Sequence, residues 1–157
     1  LGSIGKSLVK LVKGFNFKIL AFDLIKDITF ASKNQVNYCS LNYLLKNSDI
    51  ISIHLNLNQK TKRLLSKKEM SLMKKNAILI NTSRGGIIDE KSLFEVLKNK
   101  KILGAGLDVF EEEPYKGELL DLENIITTPH IGSYAKELRI QMEIETVKNL
   151  IRGFNEF

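Results

Sequence analysis

Short apolar runs alternate with stretches of helical spacing along the whole chain. Lys18 to Phe22, Val36 to Tyr38, Ile50 to Leu55, Ala77 to Ile80, Gly104 to Val109 and Ile125 to Thr127 have the length and composition of buried strands. Between them the period lengthens. Ile4, Leu8, Leu11 and Val12 share one face of a helix that Gly14 ends. Ser40 caps a short helix carrying Leu41, Leu44 and Leu45. Ser66-Lys67-Lys68-Glu69 is a capping box that opens a helix with Met70 and Met73. Asp89 caps a helix expected to bury Leu93, Phe94 and Leu97. A last helix runs from about Ala135 to Arg152, with Ile140, Ile144, Val147 and Ile151 on one face. Strands alternating with helices imply a parallel, doubly wound α/β sheet. Pro114 to Glu118 reads as an exposed loop, and no repeat or internal linker interrupts the pattern.

At 157 residues the chain is long enough for one domain with a real core and short of two. No apolar run approaches the ~20 residues of a membrane span. The single cysteine, Cys39, excludes an internal disulfide and fits a reducing compartment, so a cytoplasmic location is expected. The net charge of +6 comes from lysines scattered in pairs such as Lys67-Lys68 and Lys100-Lys101. A nucleic-acid surface would show a basic stripe with interleaved aromatics, and none is present, so no nucleic-acid partner is expected.

Candidate chemistry gathers at strand ends. Ala77 to Ile80 runs into Asn81-Thr82-Ser83-Arg84-Gly85-Gly86. In open parallel sheets ligands bind at the carboxyl ends of strands. The competing structural reading is a strand followed by a Gly-Gly turn and a solvated arginine. At the start, Gly2-x-x-Gly5 heads a helix. It fits the tail of a Gly-x-Gly-x-x-Gly dinucleotide loop, or equally, with Lys6 and Ser7, the end of a Gly-x-x-x-x-Gly-Lys-Ser phosphate loop. Either would set phosphate charge on the free amides of a helix N-terminus. Asp23 separates the two. It closes the Lys18 to Phe22 run, 18 residues after Gly5, where a carboxylate can accept from ribose hydroxyls and repel a 2′-phosphate, favouring NAD over NADP. The phosphate-loop reading would make the protein a nucleotide hydrolase, and Ile87-Ile88-Asp89-Glu90 resembles the acidic segment such enzymes use on magnesium, but Asp89 serves more simply as a helix cap, which weakens that alternative.

Two further segments complete the picture: Gly104-Ala105-Gly106-Leu107-Asp108-Val109-Phe110-Glu111-Glu112-Glu113-Pro114, and Thr127-Thr128-Pro129-His130-Ile131-Gly132-Ser133. With Asn81 to Gly86 they resemble the nucleotide-binding domain of the D-isomer-specific 2-hydroxyacid dehydrogenases, in the family's order and over essentially the whole chain. The resemblance implies a Rossmann-type domain over residues 1–157, NAD as cofactor, and a small 2-hydroxy or 2-keto acid as substrate. Matched by motif, Arg84 would grip the substrate carboxylate and carbonyl, His130 would be the acid/base, and Glu113 would be its acidic partner. Glu111 and Glu112 would be neighbours without that role. Gly2, Ser3, Ile4 and Gly5 would cradle the pyrophosphate. Asp23, Thr82, Ser83, Asp108 and Gly132 would complete the cofactor contacts, with Arg84 and His130 beside it. The family usually has proline where Asn56 stands and often threonine at Asn58, which puts the shape of that loop in question. His54, the other histidine, reads as structural or as support for the site.

Physical logic stands beside the resemblance. Reducing a 2-keto acid takes a hydride on carbon and a proton on oxygen. Imidazole titrates near neutral pH and a carboxylate steadies its charged form. A guanidinium offers a planar fork for a carboxylate. The opening on Leu1 and Gly2 suggests a piece whose upstream part would hold the first glycine, a central strand and the substrate domain. Without them the 157 residues are expected to fold poorly or bind NAD weakly. No metal is expected, and homodimerisation is expected by analogy. A non-catalytic NAD-sensing protein on the same scaffold remains an alternative, argued against by the joint presence of Arg84, Glu113 and His130.

Overall fold

In a computed structural model of the chain, which describes residues 1–155, the apolar runs pair as parallel strands. These are β1 (Ile19–Ala21), β2 (Val36–Tyr38), β3 (Ile50–Ile53), β4 (Ile78–Asn81), β5 (Gly104–Leu107) and β6 (Ile125–Thr127). The helices are α1 (Ser3–Val12), α2 (Ile28–Lys33), α3 (Leu41–Asn47), α4 (Lys67–Met70), α5 (Glu90–Lys98) and α6 (Lys136–Asn155). Parallel pairing follows from the helices between strands, because only a crossover connection returns the chain to the same end of the sheet.

The strands form two sheets, β1-β2 and β3-β4-β5-β6. In the larger sheet Ile53, Asn81, Leu107 and Thr127 stand in one row across the strands. The residues that follow, His54, Thr82, Asp108 and Thr128, therefore leave the sheet at one edge. This register is what gathers the candidate site.

Each sheet has its own core. Leu45, Met70, Leu79, Leu93, Leu97, Ile102 and Leu119 are fully buried around the larger sheet. Val9, Ala21, Ala31 and Val36 form a smaller cluster around β1 and β2. Between β1 and β3 runs an open groove of about 920 Å³, lined by Leu8, Val9 and Val12 of α1, Ile19, Ile51 and Leu44. The doubly wound fold is thus present with a gap at the place where its strand order reverses.

Some expectations need correction. On α1 the buried positions are Gly5 and Val9, with Leu8 and Val12 half-buried, while Ile4 and Leu11 face out. The inward face is rotated from the one the apolar residues alone define, because small Gly5 lies innermost. On α5 Val96 is buried in place of Phe94, whose half-buried ring carries the Lys98 ammonium 5.1 Å above it. Helix α2 was not anticipated. It has six residues, buries only Ala31, and is held by Asp27 accepting from the Phe30 amide at 2.9 Å. A helix that short has no periodicity to read. Strand ends at Ile53 and Leu107 fall short of the apolar runs, since the last residues turn into loops. Ile140, Ile144, Val147 and Ile151 on α6 are exposed. Pro114 to Glu118 is largely exposed, with Tyr115 stacked on Phe110 at 4.3 Å between ring centres.

Candidate active site

The loop after β4 is organised by a buried amide. Asn81 is 2% exposed. Its Oδ1 accepts from the Ser83 amide at 3.1 Å and the Ser83 hydroxyl at 2.8 Å, and its Nδ2 donates to the Arg84 carbonyl at 2.9 Å. The turn carrying Arg84 is tied at both ends to the last residue of the strand. Gly85 then passes so close to Phe110 that a Cβ would lie 1.8 Å from the Phe110 carbonyl oxygen, and Gly86 takes a φ of +75°. Only glycine meets both demands without rearrangement. Arg84 is exposed, and one Nη donates to the Ser83 carbonyl at 2.6 Å.

After β5 the buried Asp108 does for the last loop what Asn81 does for the first. Its Oδ1 accepts from the Thr128 hydroxyl at 2.5 Å and the Ile131 amide at 2.9 Å, and Oδ2 accepts from the Gly132 amide at 3.1 Å. Burial alone would raise its pKa. The Thr128, Ile131 and Gly132 donors outweigh that and hold the carboxyl below its usual range. The Thr128–Gly132 loop is thereby drawn over the end of β5, with His130 at a φ of +55°. Glu113 accepts from the Phe110 amide at 3.0 Å through Oε1 and meets His130 Nδ1 at 2.8 Å through Oε2. The Phe110 amide and then His130 lower its pKa. An ionised carboxylate only accepts, so Nδ1 carries the hydrogen and Nε2 is the ring nitrogen left for chemistry.

Arg84, Glu113 and His130 line one cavity of about 450 Å³, with Gly85, Gly86, Val109 and Phe110. That volume suits a small ligand. Of the acidic run, Glu111 turns to Arg63 at 3.4 Å and Glu112 is exposed, so Glu113 is the carboxylate on the histidine.

Of the residues matched to cofactor contacts, Arg84 and His130 line the smaller cavity and Asp108 and Gly132 bond to each other, so only part of the set reaches the groove between β1 and β3. Gly2, Gly5, Asp23 and Thr82 line it. Ser3 and Ile4 form the first turn of α1, which no side chain caps, and around Gly2 there is open space. An uncapped helix start with room before it fits a pyrophosphate. Asp23 lies two residues past the end of β1, where its carboxylate accepts from the Ile25 amide at 3.1 Å. Its place beyond the strand end suits a ribose. The half-buried His54 contacts Ser52 Oγ through Nε2 at 3.0 Å, and burial lowers its pKa. Asp89 caps α5 by accepting from the Ser92 amide at 3.3 Å.

Sequence reasoning passed over Asn81 and Thr128 as positioning residues, and Glu90, which accepts from the Glu111 amide at 2.6 Å. Thr128 lies 20 residues from the Asp108 it serves, so only the fold pairs them. Asn81 could have been found, as a polar residue closing an apolar strand.

Residues 1–132 match the D-isomer specific 2-hydroxyacid dehydrogenase NAD binding domain. The chain is 46% identical over 151 residues to a glyoxylate reductase of Thermococcus litoralis, covering 96% of this chain and 46% of that protein. It is 42% identical over 158 residues to a D-3-phosphoglycerate dehydrogenase of Methanocaldococcus jannaschii, covering 98% and 30%. The fold superposes on the D-lactate dehydrogenase of Aquifex aeolicus, solved with NAD and lactic acid, with a TM-score of 0.87 at 32% identity, covering 99% and 51%. The chain spans about half the length, or less, of these relatives. The three-part site at the strand ends, the glycine-led helix and this shared sequence together establish that the chain belongs to the D-isomer specific 2-hydroxyacid dehydrogenase family, through its NAD-binding domain.

Proposed function

We propose that the protein is an NAD-dependent oxidoreductase interconverting a D-2-hydroxy acid and its 2-keto acid, and that these residues form its nucleotide-binding part, α6 included. The observation that carries this reading is the meeting of Arg84 with the Glu113–His130 pair, 2.8 Å apart, in one cavity.

Bound NAD supplies or accepts the hydride. The chain's own residues do the rest. Arg84 binds the substrate carboxylate and carbonyl through its charged fork. His130 gives a proton from Nε2 to the carbonyl oxygen in reduction and takes the hydroxyl proton in oxidation. Glu113 fixes the tautomer by accepting from Nδ1 and steadies the imidazolium. Asp108 and Asn81 hold the two loops that present these groups. Gly2, Ser3, Ile4 and Gly5 hold the pyrophosphate with backbone, and Asp23 binds the ribose hydroxyls, selecting NAD over NADP.

The test is the full-length protein with NADH and a panel of 2-keto acids. Turnover that disappears in Arg84→Ala and His130→Ala supports the mechanism. NADH binding with no turnover on any acid would point instead to a sensing protein on the same scaffold. A cytoplasmic location, a homodimer and the absence of a nucleic-acid or membrane partner belong to the same reading. Among the described residues no helix is long and apolar enough to cross a membrane.

A further inference from the structure

The cavity that holds Arg84, Glu113 and His130 has one more lining residue whose charge the reaction does not use, Lys62. The other ionisable groups lining the cavity are Arg84, Glu111, Glu113 and His130. Glu113 is paired with His130, and Glu111 is paired with Arg63. Arg84 and Lys62 make no ion pair with a carboxylate among the described residues. A 2-keto acid with a single carboxylate needs only Arg84. The cavity therefore offers one cation more than such a substrate can satisfy.

Lys62 is placed by the hydrogen bonds of its own loop. Asn58, standing where threonine is frequent, accepts through Oδ1 from the Lys60 amide at 2.8 Å and the Thr61 amide at 3.2 Å. Its carbonyl accepts from the Lys62 amide at 2.8 Å. Thr61 Oγ1 donates to the Asn56 carbonyl at 2.7 Å. This is a closed Asx turn with a threonine strap. It is also tied to the catalytic loop. The Arg63 amide donates to the Gly86 carbonyl at 2.8 Å, the Leu65 amide to the Ile87 carbonyl at 3.2 Å and the Asp89 amide to the Leu65 carbonyl at 3.0 Å. Backbone bonds thus hold the stem of Lys62 against the segment that begins at Arg84. The lysine head makes no hydrogen bond or ion pair among the described residues, while its base is fixed on the cavity wall.

We propose that Lys62 is a specificity-determining residue that binds a second anionic group on the substrate, so that the preferred acids are 2-keto acids carrying a distal carboxylate or phosphate. This rests on the dehydrogenase reading and deepens it. An ammonium is a compact point charge on a long stem, suited to an anion whose distance from the keto group varies. A hydrogen bond to a charged group contributes more than a neutral one, and more in a cavity shielded from water.

The experiment measures kcat/KM of the full-length protein with NADH for glyoxylate and pyruvate, for oxaloacetate and 2-oxoglutarate, and for the 3-phosphate of hydroxypyruvate. The wild type is expected to favour the dianionic acids over pyruvate by about tenfold or more. Lys62→Ala should lower kcat/KM for the dianions about tenfold more than for glyoxylate, chiefly through KM, and Lys62→Arg should restore most of it. Comparison of the carboxylate and phosphate arms tells which anion Lys62 takes. Turnover of glyoxylate or pyruvate without a dianion preference, or equal losses for all acids in Lys62→Ala, overturns the inference and leaves the dehydrogenase reading standing. No turnover of any acid by NADH-bound protein overturns both.

Discussion

His130 and Glu113 form the unit on which the chemistry depends, and each can be tested alone. His130→Asn removes the proton carrier, so kcat should fall about 10²- to 10⁴-fold in both directions while NADH affinity, measured by fluorescence, stays within a few-fold. Glu113→Gln keeps the shape but gives up the charge that steadies the imidazolium, so a smaller loss is expected, with a changed pH profile of kcat/KM. The carboxylates also set the acid limb of stability. Glu113 and Asp108 both titrate below their ordinary values of 4.5 and 3.8 in the folded state. A group that binds its proton more weakly when folded favours the folded state once ionised. Its contribution is full above the ordinary value and is lost as pH falls through the lowered one. The midpoint of thermal unfolding should be level above these values and drop below them, and Asp108→Asn, which removes the more buried acid, should flatten that drop while lowering the plateau. A plateau unchanged in Asp108→Asn would show that the Thr128–Gly132 loop does not depend on this carboxylate.

At the level of elements, legibility followed how local the determining interactions are. The strands were readable because short, mostly apolar runs between stretches of helical spacing have few other uses, and register then aligned the ends of β3 to β6 without further information. The caps were equally local. Ser66 and Glu69 form the expected box, with the Ser66 amide donating to Glu69 at 3.3 Å, so Ser66→Ala should cost about 1 kcal/mol in chemical denaturation. The inward face of α1 was less readable, because what lies innermost is the absence of a side chain at Gly5. Helix α2 was unreadable, since its one buried residue is an alanine. In the site the motifs named Arg84, Glu113 and His130, but Asn81 and Thr128 emerge only when loops distant in sequence meet. Gly85 shows the same limit from the other side. Its pairing with Gly86 reads as a turn, whereas the structure makes it the contact point between the loops after β4 and β5. Gly85→Ala should destabilise the protein by about 2 kcal/mol or more and displace Arg84 from His130. An alanine variant that melts normally and keeps its KM would mean that the Phe110 carbonyl moves aside without consequence.

Across the whole molecule the unresolved balance lies in the groove between β1 and β3. Each of these strands is paired on one side only, so their other backbone edges face each other over a trough walled by apolar side chains. A single parallel strand between them would join the two sheets in the order of a doubly wound fold, bury those walls and satisfy both edges. The groove's mouth, with Gly2, Gly5, Asp23 and Thr82, would then be the end of a continuous sheet rather than of a split one. A second apolar surface lies on α6, where Ile140, Ile144, Val147, Ile151 and Phe154 recur at intervals of four and three and are all about half exposed or more. That spacing is the seam a helix presents to another element. With both surfaces uncovered, the 157 residues by themselves should melt with little cooperativity, associate through apolar contacts and bind NAD weakly. In the full-length protein the amides of β1 and β3 should exchange with solvent as slowly as those of β4, and in the 157 residues alone they should exchange much faster. A sharp melt with tight NAD binding by these residues alone would show instead that the two sheets stand without a strand between them, and that Gly2 and Asp23 are held in register by α1 and the small core around Val9.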